Sequence, residues 1–312
     1  MSIKSLVVVA VLLVARVASA EPEPREAPAS LPWQLRAVTT GNMISAESAV
    51  AVFRDPQGNI DLAELTALSA RYQLTERWAP TIRLAFTGND APGAALDGMS
   101  FGNPIVGATY TRTMDRRRLA LFAAAALPVG TGGGDAPDPR AARTNAASIT
   151  ARPADEPSFA VNYATAILGA DLAYVKHGST AQAEATLLQS VRARGAETAD
   201  GTDAFRTRAT MGAHLGMFLG RRVSLGADLE YRRWLSHPTT LDAMSGARVA
   251  LSHDALSTLT ASIGARLHLR IGNASLHPGL SYTRGFDGLT LHGPMRITKQ
   301  TNAIALALPV RF

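Results

Sequence analysis

The sequence predicts an all-β fold, a transmembrane antiparallel β-barrel of about 12 strands. From residue 46 onward, segments of about 10 to 16 residues alternate apolar with small or polar side chains, which is the period of a strand with two different faces. Short connections alternate with long ones, as periplasmic turns alternate with extracellular loops in such barrels. The sequence given ends on an aromatic residue, Phe312, that closes one of these segments.

The first 20 residues have the layout of a cleavable secretory signal. Lys4 precedes an apolar run, and Ala18-Ser19-Ala20 supplies the small residues of a cleavage site. The apolar run is far shorter than the roughly 20 residues that a membrane-spanning helix needs. We therefore expect a signal peptide at residues 1–20, a periplasmic leader or small plug at residues 21–45 and the barrel at residues 46–312.

The composition narrows the class of protein further. The sequence has no cysteine, so it forms no disulfide, no thiolate metal site and no lipid-modified cysteine. No stretch after residue 20 is apolar for long enough to form a transmembrane helix. The formal net charge of +6 comes mainly from arginines spread along the chain, unlike the clustered basic patch of a nucleic-acid-binding protein. We expect no nucleic-acid partner.

The alternating segments predict twelve strands in two halves. In the first half they lie near residues 46–54, 61–75, 79–88, 101–114, 117–128 and 157–176. In the second half they lie near residues 181–194, 204–219, 222–236, 256–270, 274–285 and 299–312. An even number of strands places both termini on the periplasmic side. A soluble β-sandwich or β-propeller is the competing fold, but strands of soluble proteins are commonly only about 5 to 6 residues long.

The last strand shows the two faces most clearly. Ile304 and Leu306 lie on one face, and Ala303 and Ala305 lie on the other. In a transmembrane barrel these faces meet lipid and lumen respectively. A terminal aromatic on such a strand resembles the signal that outer-membrane barrels present to their assembly machinery. We therefore expect the outer membrane of a Gram-negative bacterium as the location, with outer-membrane lipid and, through Phe312, the barrel assembly machinery as partners.

Two short elements in the first half stand out by their turn-forming residues. One is Phe101-Gly102-Asn103-Pro104, followed by Gly107 and Tyr110, and the other is Ala126-Leu127-Pro128-Val129-Gly130-Thr131-Gly132. They resemble the outer-membrane transporter family that is named for the meta pathway of phenol degradation. The resemblance implies a barrel of about twelve strands and uptake of small, often hydrophobic molecules. Asn103 departs from the family's acidic residue, and by its own chemistry the first element is interpreted as a structural strand start.

If the apolar faces point to lipid, the opposite faces place charged side chains in the lumen. Those that we single out as lumen-lining are Arg206, Arg208, His214, Asp228, Glu230, Arg232, Arg266, His268 and Arg270. Neighbouring strands are expected to bring opposite charges within reach of one another. The set is interpreted either as a basic selectivity lining for anionic solutes or as a salt-bridge network that fills a narrow interior.

Other motifs do not support catalysis. His177-Gly178-Ser179 has the spacing found in outer-membrane phospholipases, but Thr180-Ala181 replaces the Asn-Gly of those enzymes, and a periplasmic turn is the wrong place. His237 and His253-Asp254 lie in a long connection without paired acidic residues. The run Gly130–Gly134 lacks the Lys-Ser/Thr ending of a phosphate-binding loop, so we interpret residues 129–156 as a flexible extracellular loop. We expect no enzyme, no metal and no cofactor.

The predicted function is that of an outer-membrane channel or transporter for passive uptake of small molecules, hydrophobic or anionic, with a small-molecule solute as partner. The alternative is a closed structural or surface-interaction barrel whose long extracellular loops, especially residues 129–156, bind a partner.

Overall fold

The structure is a computed structural model that describes residues 41–54, 60–90, 98–136, 138–176, 178–196, 203–241, 248–250, 256–287 and 301–312. The predicted signal peptide and all but the last residues of the leader lie outside the described residues. His177 and His253-Asp254 also lie outside them.

The strands of the first half are β1 (Met43–Arg54), β2 (Ile60–Arg71), β3 (Trp78–Asp90), β4 (Gly98–Phe101), β5 (Ile105–Met114) and β6 (Arg117–Ala126). Those of the second half are β7 (Tyr163–Lys176), β8 (Ser179–Arg192), β9 (Phe205–Leu219), β10 (Val223–Trp234), β11 (Thr239–Leu241), β12 (Arg248–Ala250), β13 (Ser257–Leu267), β14 (Leu269–Ile271), β15 (Ala274–Leu276), β16 (Gly279–Asp287) and β17 (Thr301–Arg311). Between β6 and β7 lie the helix α1 (Pro139–Ala151), a 3-10 turn (Pro153–Asp155) and the short helix α2 (Glu156–Phe159).

The strands close into a barrel. Each barrel strand pairs antiparallel with its neighbours, and β1 pairs with β17, from Met43 opposite Arg311 to Val52 opposite Asn302. β4 and β5 are two parts of one interrupted strand, as are β13 and β14, and β15 and β16, while β11 and β12 form a separate hairpin. The result is the closed antiparallel barrel of 12 strands that the sequence predicts. We call the end that holds Met43 and Phe312 the periplasmic end, following the predicted orientation.

The outer surface carries large apolar side chains. Met211 and Leu215 on β9 and Ile263 on β13 are 63%, 65% and 64% exposed. Contiguous exposure of this kind is unfavourable in water and is suited to lipid. Within the described residues, no helix is both long and apolar enough to cross a membrane.

The long connection between β6 and β7 corrects one expectation. Residues 129–156 were expected as a flexible extracellular loop and residues 157–162 as the start of a strand, but this segment folds into the barrel and β7 begins at Tyr163. Asp138 caps α1 by accepting a hydrogen bond from the Arg140 backbone N–H, and Pro139 suits the first helical position. We call residues 127–162 the inserted loop. Because most of it packs inside, it does not form the external loop that the alternative function placed first among its partner-binding loops.

The inserted loop packs against one side of the interior. There, the inward residues of β17, β1, β2 and β3 include Ala303, Ala305, Ala307, Ala49, Ala51, Ala63, Ala67 and Ala85, all at most 4% exposed. We call this surface the alanine wall. Ala147 of α1 packs with Ala51, Ala63 and Ala303. Phe159 of α2 packs with Leu65, Ala67 and Ala85. Small side chains leave the width that a helix needs.

Candidate functional site

The opposite side of the interior carries most of the charge. Inward positions of β7 to β10 and β13 hold Asp171, Glu184, Arg206, Arg208, His214, Asp228, Glu230, Arg232 and Arg266. We call this surface the charged wall. The alternation that exposes Leu215 and Ile263 to lipid turns these charged residues inward, because successive side chains of a strand point to opposite faces.

Of the predicted lumen-lining residues, the structure places all but one inside. Arg206 and His268 are partly buried and the others, from Arg208 to Arg266, are buried. Arg270 is exposed instead. The cause is the interruption at His268 between β13 and β14, which buries Leu269 and shifts the alternation by one residue. Strict alternation is therefore the wrong rule for this strand end.

The charges inside pair differently from the simple cross-strand expectation. Asp228 lies opposite His214 in the β9–β10 register, and Asp228 Oδ1 is 2.6 Å from His214 Nδ1. Glu230 pairs with Arg232 of its own strand, with 2.6 Å between Oε1 and Nε. Arg206 and Arg208 of β9 turn instead to a carboxylate of the inserted loop.

One ionic network joins the inserted loop to the barrel beside the alanine wall. Arg152 Nη2 lies 2.6 Å from Glu47 Oε1 and 2.8 Å from Asp155 Oδ2. Arg83 Nη2 lies 2.9 Å from Asp155 Oδ1, and Arg83 Nη1 lies 3.8 Å from Glu47 Oε2. Burial raises the pKa of Asp155, but Arg152 and Arg83 lower it more, so this pKa lies below its ordinary value. Two arginines and two acids make this network electrically balanced.

A second cluster lies at the extracellular ends of β7 to β10. The Arg206 guanidinium lies over the Tyr163 ring at 4.5 Å and over the Trp234 ring at 5.7 Å. The Arg208 guanidinium lies over Trp234 at 4.9 Å, and that of Arg192 lies over Tyr163 at 5.0 Å. We call these five residues the arginine–aromatic cluster. Guanidinium groups are attracted to ring faces, so the rings hold the arginines in place.

Glu156 is the carboxylate that faces this cluster. It is the first residue of α2, and its side chain is 8% exposed. Its Oε2 contacts Arg208 Nη1, and its Oε1 lies 4.0 Å from Arg206 Nη1. One carboxylate therefore faces two arginines.

Asn103 fixes both ends of the inserted loop. It lies in the gap between β4 and β5 and is fully buried. Its Nδ2 donates to the carbonyl oxygens of Pro157 at 3.3 Å, Ala160 at 3.0 Å and Tyr163 at 3.2 Å. Its Oδ1 accepts from the Gly130 N–H at 3.0 Å. The two sequence elements around Asn103 and Gly130 thus meet in space.

Most residues of the inserted loop and its contacts were missed by reasoning from the sequence. Glu47, Arg152, Asp155 and Glu156 were not among the predicted site residues, and Asn103 was predicted only as a structural strand start. The available signals were the Asp138-Pro139 helix start followed by alanines, and the close spacing of acids and an arginine in 152–156. Neither signal identifies a partner on a distant strand.

Two further features do not form sites. An apolar groove of about 1190 Å³ crosses several neighbouring strands and is lined by exposed side chains such as Leu215, Ile263 and Leu280, so it faces lipid. In the part of the chain that the structure describes, no group of three or more His, Asp or Glu residues is placed to hold a metal ion.

Comparison with known proteins gives a fold. No protein-family model matches the chain, and no curated protein matches it. Among solved structures, an outer-membrane channel from Pseudomonas putida F1 matches with a TM-score of 0.56 at 11% identity, covering 92% of this chain and 99% of that chain. The translocator domain of the autotransporter NalP from Neisseria meningitidis matches with a TM-score of 0.53 at 11% identity, covering 99% of this chain and 98% of that chain.

These two neighbours are proteins of different function, a channel and a translocator, and at such identity the likeness concerns architecture alone. The closed barrel, the lipid-facing apolar belt and the likeness agree on one conclusion: the chain is an outer-membrane β-barrel.

Proposed function

We propose that this barrel is an outer-membrane channel for passive uptake of small molecules, with a preference for anionic ones. The observation that carries the proposal is a series of polar side chains that line the interior. Within the described residues, Arg206 Nε, Thr260 Oγ1, His214 Nε2, Ser281 Oγ and Arg71 Nε are buried atoms without a hydrogen-bond partner in the protein. Buried polar groups are normally satisfied by protein or by water, so these atoms would gain hydrogen bonds if water entered the interior.

The positions of these atoms span the height of the barrel. Arg206 is the second residue of β9 at the extracellular end, and Arg71 is the last residue of β2 at the periplasmic end. His214 and Ser281 lie between them. A closed structural barrel gains nothing from such a series, because an unsatisfied buried polar group costs about 1–3 kcal/mol.

The charge distribution supports the anion preference. The Glu47, Arg83, Arg152 and Asp155 network is balanced, whereas the arginine–aromatic cluster holds three arginines, two of which face Glu156. Basic side chains along a pore favour anions. The two interpretations of the predicted lumen-lining set apply at different heights of the barrel. His214 and Asp228 form an internal pair, and Arg206 and Arg208 form the selectivity lining.

Membership of the transporter family named for the meta pathway of phenol degradation is also part of the proposal. The meeting of the Asn103 and Gly130 elements supports it, because both elements serve one structural purpose. Removal of residues 1–20 as a signal peptide and assembly through Phe312 also belong to the proposal. We propose no enzymatic activity.

Single-channel current tests the proposal. The chain without residues 1–20 is refolded into planar bilayers, and salt gradients give the ion preference. Reproducible current steps with anion preference are expected. A correctly folded barrel that stays silent would favour a plugged transporter for hydrophobic molecules or a structural barrel.

A further inference from the structure

We infer that Glu156 occupies a binding site for small organic carboxylates as a tethered ligand, and that an incoming solute carboxylate takes its place. The inference rests on the proposed channel and names its preferred solute. The site consists of the arginine–aromatic cluster and Glu156.

The carboxylate of Glu156 shows the shape of the site. Its two oxygens face two different arginines, Oε2 in contact with Arg208 and Oε1 at 4.0 Å from Arg206. Arg208 thus holds one oxygen of Glu156 in a charge-assisted contact, whereas 4.0 Å is too long for a hydrogen bond and leaves Arg206 able to bind a second carboxylate. A carboxylate can offer a separate oxygen to each guanidinium, which a spherical anion such as chloride does not. The geometry therefore favours carboxylates.

The arginines are held ready for a ligand. Tyr163 and Trp234 both lie against the Arg206 guanidinium, and Trp234 also lies against Arg208. Tyr163 is itself fixed, because its hydroxyl donates to the Asp203 carbonyl at 2.7 Å and accepts from Arg192 Nη2 at 3.0 Å. A preorganised site binds with a smaller loss of side-chain freedom.

Arg206 provides the entry to the site. Its side chain is 14% exposed, against 8% for Arg208, and its contact with Glu156 is the longer of the two. An incoming carboxylate binds Arg206 first and then displaces Glu156 from Arg208. The site contains three arginines and one acid, Glu156, so a second carboxylate enters a region of positive charge. Flat apolar bodies suit the neighbouring rings, which makes aromatic carboxylates the favoured class.

Benzoate block of the chloride current tests the inference. In Glu156→Gln the tethered competitor is neutral, and the half-blocking concentration of benzoate is expected to fall about tenfold, the effect of one ion pair of about 1.4 kcal/mol. Arg206→Gln is expected to raise it by a similar factor. Benzamide has a similar shape but no charge, so its half-blocking concentration is expected to be the same in all variants.

Glu184→Gln is the matched control. Glu184 is also a buried inward acid, and its Oε1 accepts a hydrogen bond from the Thr186 hydroxyl at 2.8 Å. An equal shift in Glu184→Gln would mean that total lumen charge, not the site, governs block, and would overturn the inference. An unchanged half-blocking concentration in Glu156→Gln would also overturn it.

A binding measurement separates this inference from the channel itself. If no variant conducts, calorimetry of benzoate binding to the folded barrel in detergent still reports the site. Tighter binding by Glu156→Gln than by the natural sequence supports the site although the channel proposal fails. Absence of binding in both refutes the site. If Glu156→Gln does not fold, weaker binding by Arg206→Gln than by the natural sequence gives the answer.

Discussion

The alanine wall and the charged wall are built from the same kind of strand, yet the first supports the inserted loop and the second fills the interior with its own charged side chains. On β1 and β3, inward residues such as Ala49 and Ala85 have only a methyl side chain, and α1 and α2 fill the space that these small side chains leave. On β9 and β10, inward residues such as Arg208 and Asp228 reach into the interior themselves. The size of inward side chains thus decides where a loop can settle.

The largest expected effect comes from breaking the ionic attachment beside the alanine wall. Arg152→Gln leaves the Glu47 carboxylate, 2% exposed, with Arg83 at 3.8 Å. Removing one partner of a buried ion pair costs about 3–5 kcal/mol, so the inserted loop should leave its place. Single-channel conductance should rise, and the loop should become sensitive to external protease.

Arg140→Gln is the control for this change, because Arg140 is an exposed residue of the same helix. Arg140→Gln should leave both the single-channel conductance and the protease sensitivity of the loop unchanged. If Arg152→Gln also changes nothing, apolar packing on the alanine wall holds the loop without the ion pairs.

The second expected effect concerns Asn103, which joins the loop to the gap in the β4–β5 strand. Asn103→Asp keeps the shape and the acceptor for Gly130 but removes the three donated hydrogen bonds and places a carboxylate against carbonyl oxygens. We expect a loss of about 3 kcal/mol in unfolding free energy. Denaturant unfolding of Asn103→Asp beside Asn103→Ala measures it. Equal stability of Asn103→Asp and the natural sequence would contradict the assigned donor role.

A third, smaller effect tests the comparison of the walls directly. Ala85→Leu adds bulk where Phe159 of the inserted loop packs, and overpacking costs about 1–3 kcal/mol. The matched change, Ala213→Leu, adds the same bulk on the lipid face of β9, where Ala213 is exposed. Only Ala85→Leu should lower stability and alter conductance. The same loss in both variants would mean that the alanine wall has no special role.

The smallest expected effect is the pH dependence of Asp155. Its pKa is lowered in the fold, so its stabilising contribution is complete above the ordinary aspartate pKa of about 3.9 and is lost as pH falls through the lower folded value. The stability difference between the natural sequence and Asp155→Asn should stay constant from about pH 7 to about pH 5 and shrink below about pH 4. A difference that already shrinks by about pH 6 would argue against the lowered pKa.

The barrel could be predicted because its signal is local. A period of two is written in each segment, and the predicted strands near 204–219 and 222–236 agree with β9 (Phe205–Leu219) and β10 (Val223–Trp234) within two residues. The same alternation predicted that the charged residues of these strands point into the barrel. Where a strand is interrupted, as at His268, the period fails, and Arg270, which was predicted to line the lumen, is exposed.

The inserted loop could not be predicted in this way because its contacts are distant in sequence. Arg152 meets Glu47 across 105 positions, and no local pattern pairs them. Its glycines, prolines and acids also fit the composition of an ordinary surface loop. The role of Glu156 at Arg208 depends on the same fold-back, so the predicted arginines were found without their carboxylate.

Asn103 has a consequence for how such barrels can change over evolution. One amide side chain binds Gly130 near the start of the inserted loop and the Tyr163 carbonyl just after its end, so Asn103 holds the two ends of the loop at one point of the wall. Changes in length between those two residues leave the register of β6 and β7 intact as long as the contacts of Arg152 and Glu156 with the barrel are kept. The solute preference of such a barrel can therefore change in the loop as well as on the strand that carries Arg206 and Arg208.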